Sequence, residues 1–453
     1  MNDQETISYL NHLKESKIRY GDLIPFERLL ALLGNPHQAY PSLIIGGTNG
    51  KGSIASMIAA IMTNAGFRVG LYTSPHLVDL RERICVSGTM ISPEEINACV
   101  SLVRAKGEAS ETYFECLTAA AFLHFKAQQV DLAVLEVGMG GRLDATNVVS
   151  PLFSVISNIS LDHRNYLGNT LKEIAAEKAG IIKEKGTCFT AATQETVLDV
   201  FRAKCEEHDA RLLQLGKDFK IRIEQDQSFN FISPDLQMKG LKVALSGRHQ
   251  IRNAALALAS IGELKKRGYL ISAQNIIAGL ANVRWPGRLE VLRQTPCVIL
   301  DGAHNPAAIS VLCQSLPRLY SWRRLIIVFG ALRDKQCGVM VRKLYSLADQ
   351  MILTTPDTER AASPEELLAA IAESPEKAVT IPSPLDALRA ALSGAAIDDL
   401  ICVTGSLYLV GEIKKIVKGD QYAGGNASRS EFIAEFFGKN RLDEKSAPVP
   451  AGE

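Results

Sequence analysis

Three things are missing from this 453-residue sequence, and each absence closes off a class of function. It lacks an excess of charge of one sign: 50 Lys and Arg stand against 49 Asp and Glu, a net charge of +1. No electrostatic footprint for nucleic acid covers the whole chain, so any charge that matters is local. It lacks an apolar run approaching the ~18 residues that span a bilayer. Its start, Met1-Asn2-Asp3-Gln4-Glu5, is polar where a leader would place a basic region before an apolar core. It also lacks paired cysteines. Cys85, Cys99, Cys116, Cys188, Cys205, Cys297, Cys313, Cys337 and Cys402 are odd in number, scattered and never spaced C-x-x-C, which argues against a disulfide framework or a zinc site. They read as small buried residues in a reducing compartment. The expectation is a soluble, cytoplasmic protein with neither membrane nor nucleic acid as partner.

What is present is organised around Leu43-Ile44-Ile45-Gly46-Gly47-Thr48-Asn49-Gly50-Lys51-Gly52-Ser53. An apolar strand breaks into glycines and a lysine and restarts as an apolar helix from about Lys51 to Asn64. That order suits a phosphate-binding loop: glycines let successive N–H groups turn onto an anion, and the helix points its positive end at the same spot. Lys51 adds a point charge for the β- and γ-phosphates. The spelling departs from G-x-x-x-x-G-K-[ST], because Ile45 replaces the first glycine and Gly52 separates Lys51 from Ser53. The plainer reading is a strand-to-helix turn with incidental glycines.

A strand over Phe67–Tyr72 completes a βαβ unit and demands a parallel sheet, whose ligands bind at the carboxyl ends of the strands. Those ends therefore matter. Thr73-Ser74-Pro75-His76 follows one strand, and Leu132–Leu135 ends in Glu136, a natural place for a magnesium ligand beside a phosphate loop. Leu152–Ile156 runs into Ser157-Asn158-Ile159-Ser160-Leu161-Asp162-His163. Taken alone, His163 reads as a structural histidine and Lys178, on a helix from about Leu171 to Lys183, as a solvated charge. Ser92-Pro93-Glu94-Glu95 is a capping box opening a helix. Residues 212–245 read as antiparallel strands, and 250–265 as a strong helix.

At 453 residues the chain exceeds the roughly 250–300 that one core supports. The break is placed at Asn282–Arg288, giving an ATP-binding domain 1–284, a linker 285–295, a second α/β domain 296–422, and a disordered tail 423–453 with one amphipathic patch around Phe432 and Phe436. The second domain alternates strands and helices: strands near 297–300, 325–329, 351–354 and 400–403, and helices opened by Asn305-Pro306 and Ser363-Pro364. It has no phosphate loop, so it is expected to close over the nucleotide of the first, with Asp301 at a strand end.

These residues carry a resemblance. Gly47–Ser53, Thr73–Leu77, Leu135–Gly138, Gly141–Asn147, Leu161–His163, Glu177–Gly180, Asp301–Pro306 and Thr404–Tyr408 are similar to the bacterial folylpolyglutamate synthases, of the type that can also be dihydrofolate synthases, within the Mur ligase superfamily. The likeness runs from about Tyr20 to Glu412. It implies a P-loop-containing, mostly parallel-sheet α/β ATPase domain of the Mur ligase central-domain type, then a smaller Rossmann-like α/β domain. It implies an ATP-dependent ligase that makes an acyl phosphate and displaces phosphate with the amine of L-glutamate. The acceptor is left open between reduced folate, dihydropteroate and both.

By the same resemblance, Asn49, Gly50, Lys51, Gly52 and Ser53 hold the ATP phosphates, with Asn253, Arg288 and Asp301 as further ATP contacts. Ser74 and Glu136 hold one magnesium ion and His163 is associated with a second. Lys178 is expected to be carbamylated, which reverses the solvated-charge reading, and Lys51, Lys178 and His163 are the catalytic candidates. Tyr20, Gly21 and Asp22, then Thr112, Tyr113, Phe114 and Glu115, then Leu143, Asp144 and Ala145 align with pteroate-binding segments. A monomer is expected.

Three alternatives stand beside this. A peptidoglycan ligase of the Mur type shares the chemistry but usually carries an extra N-terminal domain, and only about 40 residues precede this loop. A P-loop switch or motor would need no metal histidine. A non-catalytic folate binder would have no use for Lys51, Glu136 and Lys178.

Overall fold

Ser42–Gly46 is five buried residues in a row, and a strand buried on both faces requires neighbours on both edges and helices over both faces. The computed structural model, which describes residues 1–13, 21–107, 111–371, 375–418 and 436, supplies them. The strands of the first sheet are β1 (Ser42–Gly46), β2 (Val69–Tyr72), β3 (Ile84–Val86), β4 (Thr89–Met90), β5 (Leu132–Glu136), β6 (Ser154–Ile156), β7 (Thr187–Thr190) and β8 (Arg211–Gln214). Their order is β4-β3-β2-β5-β1-β6-β7-β8. All pairings are parallel except β2 with β3 and β3 with β4.

Alternation along β1 divides the core. Leu43 and Ile45 join a cluster with helices Lys51–Asn64, Arg248–Lys266 and Ala273–Asn282, whereas Ile44 packs on the opposite side with Val137, Ile156 and Ile174. Farther along that side, Ala133 and Leu135 of β5 meet helices Pro93–Lys106 and Tyr113–Ala127. β1 is central, and with β5 and β6 parallel to it, the carboxyl ends of all three converge on one edge.

The antiparallel reading of 212–245 holds only for β9 (Lys220–Ile223), β10 (Phe229–Ile232) and β11 (Gln237–Leu241), a separate three-stranded sheet. Arg211–Gln214 is instead the parallel edge of the main sheet. An edge strand is half solvated, so its polar alternation looks the same as that of an antiparallel strand.

By contact the chain forms two compact units, Met1–Arg288 and Leu289–Glu453. The second holds β12 (Glu290–Gln294), β13 (Cys297–Asp301), β14 (Leu325–Phe329), β15 (Gln350–Leu353), β16 (Ala378–Thr380) and β17 (Leu400–Thr404) in the order β12-β13-β17-β14-β15-β16. It is parallel apart from β12, an edge strand within the stretch expected to be a linker. Lys414, buried on the last helix, holds β12 through Glu290 at 2.6 Å. The expected disordered tail lies outside the described residues except for Phe436, a buried ring 5.6 Å from the Arg293 guanidinium. Among the described residues no helix is long and apolar enough to cross a membrane.

Candidate active site

The loop after β1 is held open by its neighbour strand. Thr48 N donates to Asn158 O at 2.8 Å, and Ser160 N donates to Thr48 Oγ1 at 3.1 Å. The Asn49 carbonyl accepts from Ser157 Oγ at 2.6 Å and from Asn158 Nδ2 at 2.9 Å. The polar turn after β6 is therefore a clamp on the loop, a role that residue types alone did not signal. Gly50 takes φ +88° at the N-cap of helix Lys51–Asn64, and no side chain caps that helix. Its first N–H groups are left for a ligand, as an anion site requires.

Two side chains close on the loop glycines. The Asn253 amide lies where a Cβ on Gly50 would sit, and the Trp285 indole lies where one on Gly52 would sit. Asn253 Nδ2 donates to buried Gln250 Oε1 at 2.9 Å, which fixes which end of the Asn253 amide faces the loop. Ser53 is buried in the first turn. Trp285 and Gln250 were not singled out from sequence; a glycine after the lysine was the only trace of the first.

Glu136 ends β5 opposite Ile45 of β1, 4% exposed, and accepts from Ser74 N at 3.1 Å. Burial raises its pKa; the charge of Lys51, the Ser74 N–H and the charges of Arg288 and Arg83 oppose the rise. Lys51 Nζ also reaches Thr48 O at 3.4 Å. Lys178 is not the solvated charge its helix position suggests: it is 4% exposed, and its Nζ donates to Gly47 O at 3.0 Å. Helix Leu171–Ala179 runs under the loop, so a lysine in its last turn points inward.

His163 adopts φ +51°, its side chain one-third exposed, with Nε2 3.9 Å from Asp162 Oδ1. The described residues contain no group of three His, Cys, Asp or Glu placed to hold a metal. Glu136 with the Ser74 hydroxyl still offers hard oxygen donors, and magnesium commonly takes only one or two protein ligands, leaving phosphates and water to complete its shell. The donor set fits a divalent cation on that basis.

Arg288 closes the first unit, and its charge is felt at both Glu136 and His249. The His249 Nδ1 is buried without a hydrogen-bond partner. Burial first, and the Arg288 charge second, push its pKa from 6.5 down to about 4. Between those values the unfolded chain binds a proton that the folded chain refuses, so this contribution is complete above pH 6.5 and is lost as pH falls toward about 4. His249→Gln should flatten the decline of Tm across that window; a profile superimposable on wild type would contradict it. Asp301 belongs to the second unit, where it accepts from Leu289 N and Ala303 N, both at 3.0 Å.

Of the pteroate-aligned segments, the structure brings two together. Thr112 caps helix Tyr113–Ala127, and Glu115 returns the bond to Thr112 N at 2.7 Å, so these two build the helix start. Phe114 covers Gly138 and lies 5.8 Å from the Tyr72 ring. Helix Tyr113–Ala127 also packs on the short turn Ala145–Val148. Asp144 is buried beside it, accepting from Met139 N at 2.9 Å and Thr146 Oγ1 at 2.6 Å, with its carboxyl pushed up by burial. Leu143 is half-buried and Ala145 buried. Gly21 and Asp22 are exposed, and Asp22 serves locally by accepting from Ile24 N at 3.0 Å. Tyr20 lies outside the described residues.

Comparison with known proteins agrees with this geometry. Residues 45–261 match the Mur ligase middle domain, and residues 287–407 the Mur ligase glutamate ligase domain. The chain is 37% identical over 405 residues to the dihydrofolate synthase/folylpolyglutamate synthase of Bacillus subtilis, covering 86% of this chain and 94% of that one. The structure of Escherichia coli FolC in complex with DHPP and ADP superposes with a TM-score of 0.84 at 31% identity, covering 91% of this chain and 97% of that one. The bifunctional folylpolyglutamate synthase/dihydrofolate synthase of Yersinia pestis, complexed with AMPPNP and a Mn ion, gives 0.83 at 30% identity, covering 92% and 98%.

Proposed function

The chain belongs to the Mur ligase family, in the dihydrofolate synthase/folylpolyglutamate synthase branch, and from that premise we propose that it joins L-glutamate to a folate at the expense of ATP. The observation that carries this reading is the convergence of Lys51, Glu136 and buried Lys178 on one phosphate loop.

A carboxylate is a poor electrophile, so it must gain a leaving group. A carboxylate oxygen of the acceptor attacks the γ-phosphorus of ATP, the bond to the bridging oxygen breaks, and ADP leaves. The glutamate amine adds to the carbonyl carbon of the acyl phosphate; phosphate departs with the electron pair of its C–O bond, and the nitrogen loses a proton. The loop N–H groups and Lys51 hold the phosphates in line and balance their charge. Asn253 and Arg288 contact the nucleotide from the same unit. Glu136 and Ser74 would hold a magnesium ion, which when bound neutralises phosphate charge; His163 would serve a second.

Lys178 carries a carbamate in this reading: its neutral Nζ takes up CO2 and releases a proton, converting a cation at the loop into an anion. Its burial against Gly47 supports a role at the loop rather than in solvent. The Thr112–Glu115 and Leu143–Ala145 segments shape the acceptor pocket. Residues 1–284 serve the nucleotide and 296–422 form the ligase domain. The enzyme acts as a monomer, each unit having its own core, and works in the cytoplasm, in keeping with cysteines that are all free.

ADP release is the test, with ATP, magnesium and L-glutamate, comparing dihydropteroate with tetrahydrofolate and including or depleting bicarbonate. Turnover with tetrahydrofolate is expected, and with dihydropteroate too if the enzyme is bifunctional; a fall on bicarbonate depletion supports the carbamate. No ADP dependent on either acceptor would overturn the folate reading.

A further inference from the structure

Between the phosphate loop and the Tyr113–Phe114 segment lies a charge that no motif announced. Arg83 ends the short turn Leu80–Arg83 where it enters β3, and it is 2% exposed. Its Nε donates to His76 Nδ1 at 2.8 Å, and its guanidinium carbon lies 5.3 Å from the centroid of the Tyr113 ring. One tautomer follows for His76: Nδ1 accepts, so the ring is neutral with its proton on Nε2.

The backbone ties this group to the phosphate end of the site. Thr73 N donates to Arg83 O at 3.0 Å, and the next residue, Ser74, gives its N–H to Glu136 at 3.1 Å. Tyr113, on the other side, opens the helix whose Phe114 ring covers Gly138. One buried guanidinium therefore stands between the carboxylate assigned to the metal and an aromatic segment assigned to the acceptor. Its charge is also among those felt by Glu136.

The acceptor's reacting carboxylate must occupy just such a place, with its pterin end among aromatic rings and one oxygen facing the γ-phosphate. We propose that Arg83, positioned by His76 and Tyr113, binds the reacting carboxylate of the acceptor and then the carbonyl oxygen of the acyl phosphate. The guanidinium makes and breaks no covalent bond. It carries a planar set of donors suited to a carboxylate, and negative charge grows on the oxygen it holds when the glutamate amine adds. His76 takes one donor and fixes the plane in which the remaining donors lie.

This inference rests on the proposed ligase activity, so wild-type turnover is measured first. The probe is whichever of dihydropteroate or tetrahydrofolate the wild-type chain uses, and failure with both would overturn the activity reading itself. With an active wild type, Arg83→Gln should lower kcat/KM for that acceptor by at least about 30-fold, while ADP affinity by calorimetry stays at the wild-type value. Arg83→Ala should regain activity when guanidinium or ethylguanidinium is added, a rescue that a purely structural strut would not show. Arg83→Lys keeps the buried charge and serves where the glutamine variant does not fold; the same acceptor-specific loss is expected, roughly tenfold or more. Wild-type acceptor kinetics in the variants, or ADP affinity falling in step with acceptor kinetics, would overturn the role while leaving the ligase reading intact.

Discussion

Lys51→Ala is expected to lower kcat for acceptor-dependent ADP release by about 10²–10³-fold, the usual cost of removing one preorganised charge from a developing anion. The reason is positional. Lys51 opens helix Lys51–Asn64 directly after Gly50, with its Nζ 3.4 Å from Thr48 O, and it is the largest electrostatic influence holding the buried Glu136 carboxyl down. Removing it takes a positive charge from the γ-phosphate and lets the Glu136 pKa rise further, so less of that carboxylate is ionised to hold a cation. Both effects weaken ATP use, and neither touches the core, since Lys51 is half-buried at the loop. Steady-state kinetics beside a thermal melt separates the two: turnover should collapse with little change in Tm. A loss below tenfold would remove Lys51 from the phosphate site.

Gly47→Ala should fail differently, through the backbone. Gly47 has φ +122°, and a Cβ there would overlap the Ser157 side chain and come within 2.8 Å of Ser157 N. Ser157 cannot simply withdraw, because its N–H bonds Gly46 O at 3.0 Å and its hydroxyl bonds Asn49 O at 2.6 Å. The strain of the φ value and the overlap together should cost about 3 kcal/mol or more, and displace the clamp that shapes the loop. Gly66→Ala is the control: its φ is +91° but nothing lies within 4 Å of the added carbon, so only the backbone term of about 1–2 kcal/mol applies. Denaturant unfolding of the two variants, read by a probe in the first unit, should rank Gly47→Ala well below Gly66→Ala. Equal midpoints would mean that the loop yields to Ser157.

The phosphate loop and parallel first sheet were legible because their signals are local. Strand, glycines, lysine and helix occur in covalent order, and five consecutive buried residues in β1 demand partners on both edges. Glu136 was legible as a strand-end carboxylate for the same reason. Lys178 shows where local reading stops: on its own helix it is one lysine among polar neighbours, and only the packing of Leu171–Ala179 beneath the loop turns Nζ onto Gly47 O. The half-exposed edge β8 was mistaken for an antiparallel strand because alternation reports solvation of a face and says nothing of strand direction.

Composition and motif order by themselves determined that this chain is an α/β protein with a phosphate loop, two α/β units and a reducing-compartment cysteine pattern, since each follows from neighbours in sequence. Only tertiary structure decided that Ser157–Ser160 clamps the loop, that Asn253 and Trp285 sit on its glycines, and that Arg83 lies beneath Tyr113 beside the Ser74–Glu136 pair. Those contacts join residues tens to hundreds of positions apart, and a side chain's charge and hydrogen bonds depend on which distant group it meets and how much water is left between them.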